Sequence, residues 1–234
     1  MNYLLIGVIA FFVIVTLNGW RKGLVRGVFL CSSTILALFI SSQCYQVIGK
    51  GINEYTTWGN DIKTVIEKNL ELGGKENQKL KRGEQTKKIE QLNLPEGIKK
   101  GLLENNNKDI YQALKATGFY DYIASYLAKM AINGISFLLT FIISGILIRL
   151  LLKVLDFITE IPILKELNTI GGILLGAVEG LIGIWIFFLI VTIFGSTPFG
   201  ETMYSYINDS VLLSYLYNNN ILLLFLTNMS KLLF

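Results

Sequence analysis

The sequence predicts an all-α integral membrane protein: four transmembrane helices paired as two helical hairpins, with a helical extracytoplasmic insertion between helices 2 and 3. Three observations predict it. Hydrophobic residues make up 52% of the 234-residue chain and charged residues only 16%, against about 25% charged in soluble domains. The mean hydropathy is +0.52. The apolar residues also gather into four runs, residues 1–20, 24–48, 131–152 and 170–194, each near the ~20 residues that cross a hydrocarbon core of about 30 Å.

The third and fourth runs qualify outright. The first is short, and the second carries Ser32, Ser33, Ser41, Ser42 and Gln43, polar groups that a membrane helix turns toward neighbouring helices rather than lipid. Arg21 and Lys22 follow the first run instead of preceding it, so it reads as a retained span and not a cleaved signal peptide. Cys31 and Cys44 both lie in the second run, about 20 Å apart along a helix and on nearly opposite faces. They cannot bridge each other within it.

The position of the basic residues sets the orientation. The link between runs one and two carries Arg21, Lys22 and Arg26 without an acid, and the link between three and four carries Arg149, Lys153 and Lys165. Across both termini there is only Lys231. The positive-inside rule puts both links in the cytoplasm and both termini outside. The chain then divides into a first transmembrane hairpin (1–48), an extracytoplasmic amphipathic-helical region (49–130), a second hairpin (131–195) whose cytoplasmic interfacial link covers 153–169, and an extracytoplasmic amphipathic tail (196–234).

Within the outer region, Ile62, Val65, Ile66 and Leu70 recur at helical spacing. So do Ile98 and Leu102 and, after the Asn105-Asn106-Asn107 break, Ile110 and Leu114. Pro95 fits the first turn of the middle helix. Residues 73–90 are highly charged and almost without large apolar residues, the composition of a mobile, solvated segment. From Tyr120, the pattern Ile123, Tyr126, Leu127, Met130 leads directly into the third run, which predicts one helix emerging from the membrane. The inner link is interrupted by Pro162. In the tail, Tyr204, Tyr206, Tyr215 and Tyr217 suit an aromatic belt at the outer interface.

Absences narrow the chemistry. The chain has no histidine, which removes imidazole bases, His-based triads and the usual zinc and haem ligand sets. It has no phosphate loop, dinucleotide fingerprint, metal-spaced cysteine cluster or nucleophile elbow. The net charge of +4 is modest, and 14 of the 21 basic residues share the outer region with 11 of the 17 acids, a mixture without a nucleic-acid footprint. The expectation is a protein that is not an enzyme, with no catalytic, metal or cofactor-binding residues, no cofactor and no nucleic-acid partner. Its partners are the lipid bilayer and either further copies of itself or other membrane proteins.

Two glycine ladders remain. Gly19, Gly23 and Gly27 are four residues apart, and so are Gly172, Gly176 and Gly180. That spacing puts each set on one helix face, where absent side chains admit another backbone. Each ladder lies at the cytoplasmic entry to an outward-going helix, which suggests two related hairpins packing through their glycine faces. Arg21, Lys22 and Arg26 read as topology determinants and anchors to anionic lipid.

The stretch Asn18-Gly19-Trp20-Arg21-Lys22-Gly23-Leu24-Val25-Arg26-Gly27 resembles the basic, glycine-containing entry to the second helix of the colicin V production protein (CvpA) family. Ile161-Pro162-Ile163-Leu164-Lys165-Glu166-Leu167-Asn168, followed by Gly172, Gly176 and Gly180, resembles that family's second signature. The likeness extends over the four apolar runs, while the outer region is similar only in kind. Thr169 and Glu179 depart from positions that are often basic in the family. The resemblance implies a multi-pass protein of the bacterial inner membrane, needed for production of a peptide toxin and attributed broader roles in envelope maintenance. It implies no transport or catalytic mechanism.

Glu179 is the sole acid inside an apolar run. A lone carboxylate at that depth costs on the order of 2 to 3 kcal/mol on insertion scales, so it should be paired, protonated or next to water. Arg149 is the first candidate partner and Arg26 the second. A structural ion pair, a proton or cation site and an unpaired bystander all stay open. Three functional classes follow: a membrane scaffold or accessory factor, a small oligomeric transporter or channel with Glu179 as its embedded charge, and a membrane-anchored sensing or binding protein.

Overall fold

A computed structural model of the chain describes residues 2–72, 80–154 and 165–224. Among the described residues all regular structure is helical: α1 (Tyr3–Tyr55), α2 (Trp58–Asn69), α3 (Arg82–Glu90), α4 (Glu96–Glu104), α5 (Lys108–Ala113), α6 (Phe119–Val154), α7 (Lys165–Ile193), α8 (Pro198–Asn208) and α9 (Val211–Asn218). Four stretches are long and apolar enough to cross a membrane. They are the two arms of α1, Tyr3–Leu24 and Arg26–Tyr55, with Phe119–Leu151 of α6 and Leu167–Ile193 of α7. The arms of α1 meet at Gly23, whose φ of 76° and ψ of 174° break the helix in a region that side chains with a Cβ avoid.

The chain resolves into two compact units: Met1–Ile48 with Ser136–Phe187, and Gly49–Ile135 with Phe188–Phe234. The first unit leaves much of its apolar surface outward, including Ile14 and Leu17 on α1, Ile142, Ile146 and Leu150 on α6, and Leu174 on α7. Helices suit such surroundings because backbone polar groups away from the helix ends are satisfied within the element. The hydroxyls of the second arm are satisfied in the same way. Ser33 and Ser41 donate at 2.6 Å to the carbonyls of Phe29 and Ala37, and Thr34 donates at 3.0 Å to that of Leu30. Ser33 and Ser41 are buried, and Ser144 of α6 donates at 3.4 Å to the Ala37 carbonyl.

In the second unit the first turns of α6 carry the packing. Tyr122 is fully buried and donates at 2.6 Å to the carbonyl of Leu102 in α4, and its ring stacks on Tyr111 of α5 at 4.7 Å. Asn107 caps α5 by accepting from the N–H of Ile110, so the asparagine break both ends α4 and starts α5. Lys63 of α2 pairs with Asp121. At the end of α7, Thr192 donates to the carbonyl of Phe188 and shares a 2.7 Å hydrogen bond with Tyr217 of α9. Helix α8 starts with Pro198 in its first turn, after Thr197, whose hydroxyl accepts from the N–H of Gly200.

Several expectations change. The described part of residues 73–90 is not a solvated coil but helix α3. The Glu84 carboxylate accepts from the Lys81 N–H at 2.8 Å, Gln85 accepts from Asn106 at 2.8 Å, and Ile89, the one large apolar residue of α3, is fully buried. One apolar anchor, one local cap and one hydrogen bond from the asparagine link order a segment whose composition alone argued against order. Pro95 precedes α4 at its cap position instead of lying inside its first turn. Tyr204 and Tyr217 are buried and in edge contact with each other, so they form a core between α8 and α9, and only Tyr215 of the four is largely exposed. Residues 73–79, residues 155–164 with Pro162, and residues 225–234 lie outside the described residues.

Candidate functional site

The two glycine ladders meet in the first unit. A Cβ built on Gly19 would stand 2.6 Å from the Cα of Gly176, and one on Gly172 would stand 2.9 Å from the Cα of Gly23. Gly180 faces Phe12 and Val15, and Gly27 faces Leu175 at 3.0 Å. All six ladder glycines therefore lie along one seam between α1 and α7, with backbone against backbone at Gly19, Gly172 and Gly176. Such contact gains dispersion and close dipole approach that any larger side chain would forfeit.

The seam ends at a polar lock. Asn168, at the start of α7, places its side chain against Gly23, and its Oδ1 accepts a 2.7 Å hydrogen bond from the N–H of Leu24. That N–H belongs to the first turn after the break, where no carbonyl of its own helix is available. The motif around residues 18–27 and the motif ending at Asn168 are thus in direct contact.

Above the lock lies a cavity of about 230 Å³ lined by Phe11, Val15, Lys22, Leu30, Thr34, Phe141, Arg149, Glu179, Ile182, Gly183 and Ile186. Residues of the first arm of α1 and of the second contribute to the same wall. Glu179 forms its ion pair here with Lys22, at 3.5 Å. Arg149 lines the same cavity without forming an ion pair to Glu179, and Arg26 is exposed and does not line it. The expected partner is corrected from Arg149 or Arg26 to Lys22, for a geometric reason. Helical side chains lean toward the N-terminus of their own helix. The first arm and α7 run in opposite directions along the seam, so Lys22 and Glu179 lean toward each other.

The side chain of Glu179 is 18% exposed and that of Lys22 35% exposed in the protein alone, so the pair sits at the cavity wall rather than in a sealed core. Arg21 lies at the surface. Cys31 is buried and Cys44 exposed, and both are free thiols. Among the described residues no group of three or more His, Cys, Asp or Glu could hold a metal ion. Two contributors escape sequence reasoning. Asn168 is legible only once its partner 144 residues away is known. The small face of Ser33 and Ala37, which with Gly145, Phe141 and Arg149 lines a second cavity of about 180 Å³, is a ladder of mixed small residues that glycine spacing alone does not reveal.

The family described as colicin V production protein has a sequence model that matches residues 113–220. The match covers the second motif and its glycine ladder, and it stops short of the first motif. It is the family that the two motifs resemble. No curated protein and no solved structure matches the chain.

Proposed function

We propose that this chain, a membrane protein like those of the colicin V production family, is a multi-pass protein of the bacterial cytoplasmic membrane. It acts as a non-enzymatic scaffold or accessory factor in the production or export of a colicin V-type peptide toxin and in envelope maintenance. The observation that carries this reading is the family match over residues 113–220. Its glycine ladder packs against the matching ladder of α1, which supports an arrangement of two hairpins locked at one seam. A seam made of backbone contacts suits a rigid scaffold better than a moving part. The six basic residues of the two links, against Lys231 alone across the termini, support links inside and termini outside.

The test is genetic and chemical together. In a toxin-producing host lacking its own copy of the gene, the intact chain restores secreted toxin activity, and a chain with a blocked seam does not, although it reaches the membrane. Restoration by the blocked chain would remove the seam from the function. Purification in mild detergent identifies the second copies or other membrane proteins that travel with it.

One observation favours a second reading: the Lys22–Glu179 pair lines a cavity among apolar helices, as a proton or cation site would. Ion or pH-gradient flux in vesicles containing only this protein would establish a transporter, and no flux under any gradient leaves the scaffold.

A further inference from the structure

Among the described residues the charges of the cavity do not balance. Lys22 and Arg149 face it with Glu179 as the one carboxylate among its described lining residues, Lys22 is paired to Glu179, and Arg149 is in no ion pair among the described residues. Arg149 is exposed and lines the cavity with Phe11, Leu30, Phe141, Ile182 and Ile186, and an accessible, unpaired guanidinium gains most from an anion that can accept two parallel hydrogen bonds, as a phosphate ester does. The second cavity, of about 180 Å³, shares Arg149, Thr34 and Phe141 with the first and is otherwise lined by Ser33, Ala37, Ile142, Gly145 and Ile146. Together they place a cationic end beside an apolar trough on a helix whose neighbouring residues, Ile142, Ile146 and Leu150, are exposed as lipid-facing residues are. That pairing fits an amphiphile with an anionic head.

We propose that the structure holds a site for an anionic phospholipid, whose phosphate is bound by Arg149 with Lys22 beside it and whose acyl chain lies along the trough at Ala37 and Gly145. The site is independent of any role in toxin production. Glu179 competes with the phosphate for Lys22, so it tunes the site instead of forming it. A free phosphate ion would satisfy Arg149 but leave the trough without an occupant.

The experiment uses the full chain, delipidated in a neutral detergent, with phosphatidylglycerol, phosphatidylcholine and inorganic phosphate as probes, read by native mass spectrometry and thermal unfolding. The expected result is retention of phosphatidylglycerol with a raised Tm, little retention of phosphatidylcholine, and no displacement by millimolar inorganic phosphate. Arg149→Gln weakens retention by about fivefold or more, the scale of one basic residue facing an anionic headgroup, Arg149→Lys restores part of it, and Glu179→Gln tightens it. Gly145→Leu, which fills the trough without touching a charge, also weakens retention, and it keeps the proposal testable if Arg149→Gln does not fold. Equal retention of the two lipids, wild-type retention by Arg149→Gln or Gly145→Leu, or displacement by inorganic phosphate would each overturn the site.

Discussion

The side-chain oxygen of Asn168 accepts a 2.7 Å hydrogen bond from the backbone N–H of Leu24, so the first turn after the Gly23 break is capped by a residue of another helix. A local N-cap would need Ser, Thr, Asp or Asn beside the helix start, and that place is taken by Gly23, which the positive φ demands. The turn and the cap are therefore divided between two helices, and the two motifs depend on each other.

Asn168→Ala should cost about 1 kcal/mol, the usual loss on removing an N-cap side chain, and Asn168→Asp should keep most of the stability because the acceptor remains. Denaturant unfolding of the purified protein in micelles measures both. If Asp destabilises as much as Ala does, the hydrogen bond is not what Asn168 contributes.

Gly176 stands where a Cβ would come within 3.0 Å of the Val15 and Thr16 carbonyl oxygens and 2.9 Å of the Gly19 Cα. All three are backbone atoms and cannot rotate away. Gly176→Val should destabilise by about 2 kcal/mol or more, at the upper end for overpacking. Gly7, with nothing within 4 Å of its Cβ position, should accept Ala within about 0.5 kcal/mol. Thermal unfolding of the pair in one detergent decides it, and similar losses at both positions would contradict the seam.

The Lys22–Glu179 pair makes a prediction about coupling. Lys22→Met leaves a carboxylate in an apolar wall, and Glu179→Leu leaves an ammonium there, so each single change should destabilise. The double variant should recover most of the loss, with a coupling of about 1 kcal/mol given the part exposure of both groups. A double-mutant cycle by chemical unfolding reads it directly, and additive losses would show that the two charges do not support each other.

Four helices able to cross a membrane were legible because long apolar runs have few alternatives: residues 131–152 lie within α6, residues 170–193 lie within α7, and the pattern from Tyr120 onward belongs to the same helix as the third run. Four-residue spacing put Gly19, Gly23 and Gly27 on one helix face, whereas the break at Gly23 divides them between the two arms of α1; their contacts with α7 come from the bend and not from helical periodicity. The ion-pair partner was not legible, because residue spacing reports the face of a helix but not the lean of a side chain, and Lys22 and Arg149 both reach the same cavity. The order at Arg82–Glu90 was hidden for a different reason. Its composition is that of a solvated segment, and its fold rests on a single buried Ile89 and on contacts such as Asn106 to Gln85 that are made from the link between α4 and α5. Buried tyrosines in a tail that reads as interfacial follow the same rule, since Tyr204 and Tyr217 find their partners in α7 and in each other.

Tyr217 gives the pH-dependent prediction. Its hydroxyl is bonded to Thr192 at 2.7 Å, and burial pushes the phenol up from an ordinary value near 10 to about 12. Below pH 10 the phenol is protonated in both folded and unfolded chains and contributes no pH dependence. Between about 10 and about 12 the unfolded chain binds fewer protons than the folded one, so stability falls as pH rises through this window and is lost up to the folded value. Tyr204 is shifted the same way, also by burial, so the two act together. Tyr217→Phe should cost about 1 kcal/mol at neutral pH for the lost hydrogen bond, since Thr192 keeps its bond to Phe188. The same variant should reduce the fall in stability above pH 10, moving the alkaline unfolding midpoint upward relative to its own neutral stability. Unfolding followed by far-UV circular dichroism across pH 8 to 12.5 on a ~0.5-unit grid measures it, and an unaltered alkaline slope in the variant would show that the Tyr217 phenol is not held neutral by the fold.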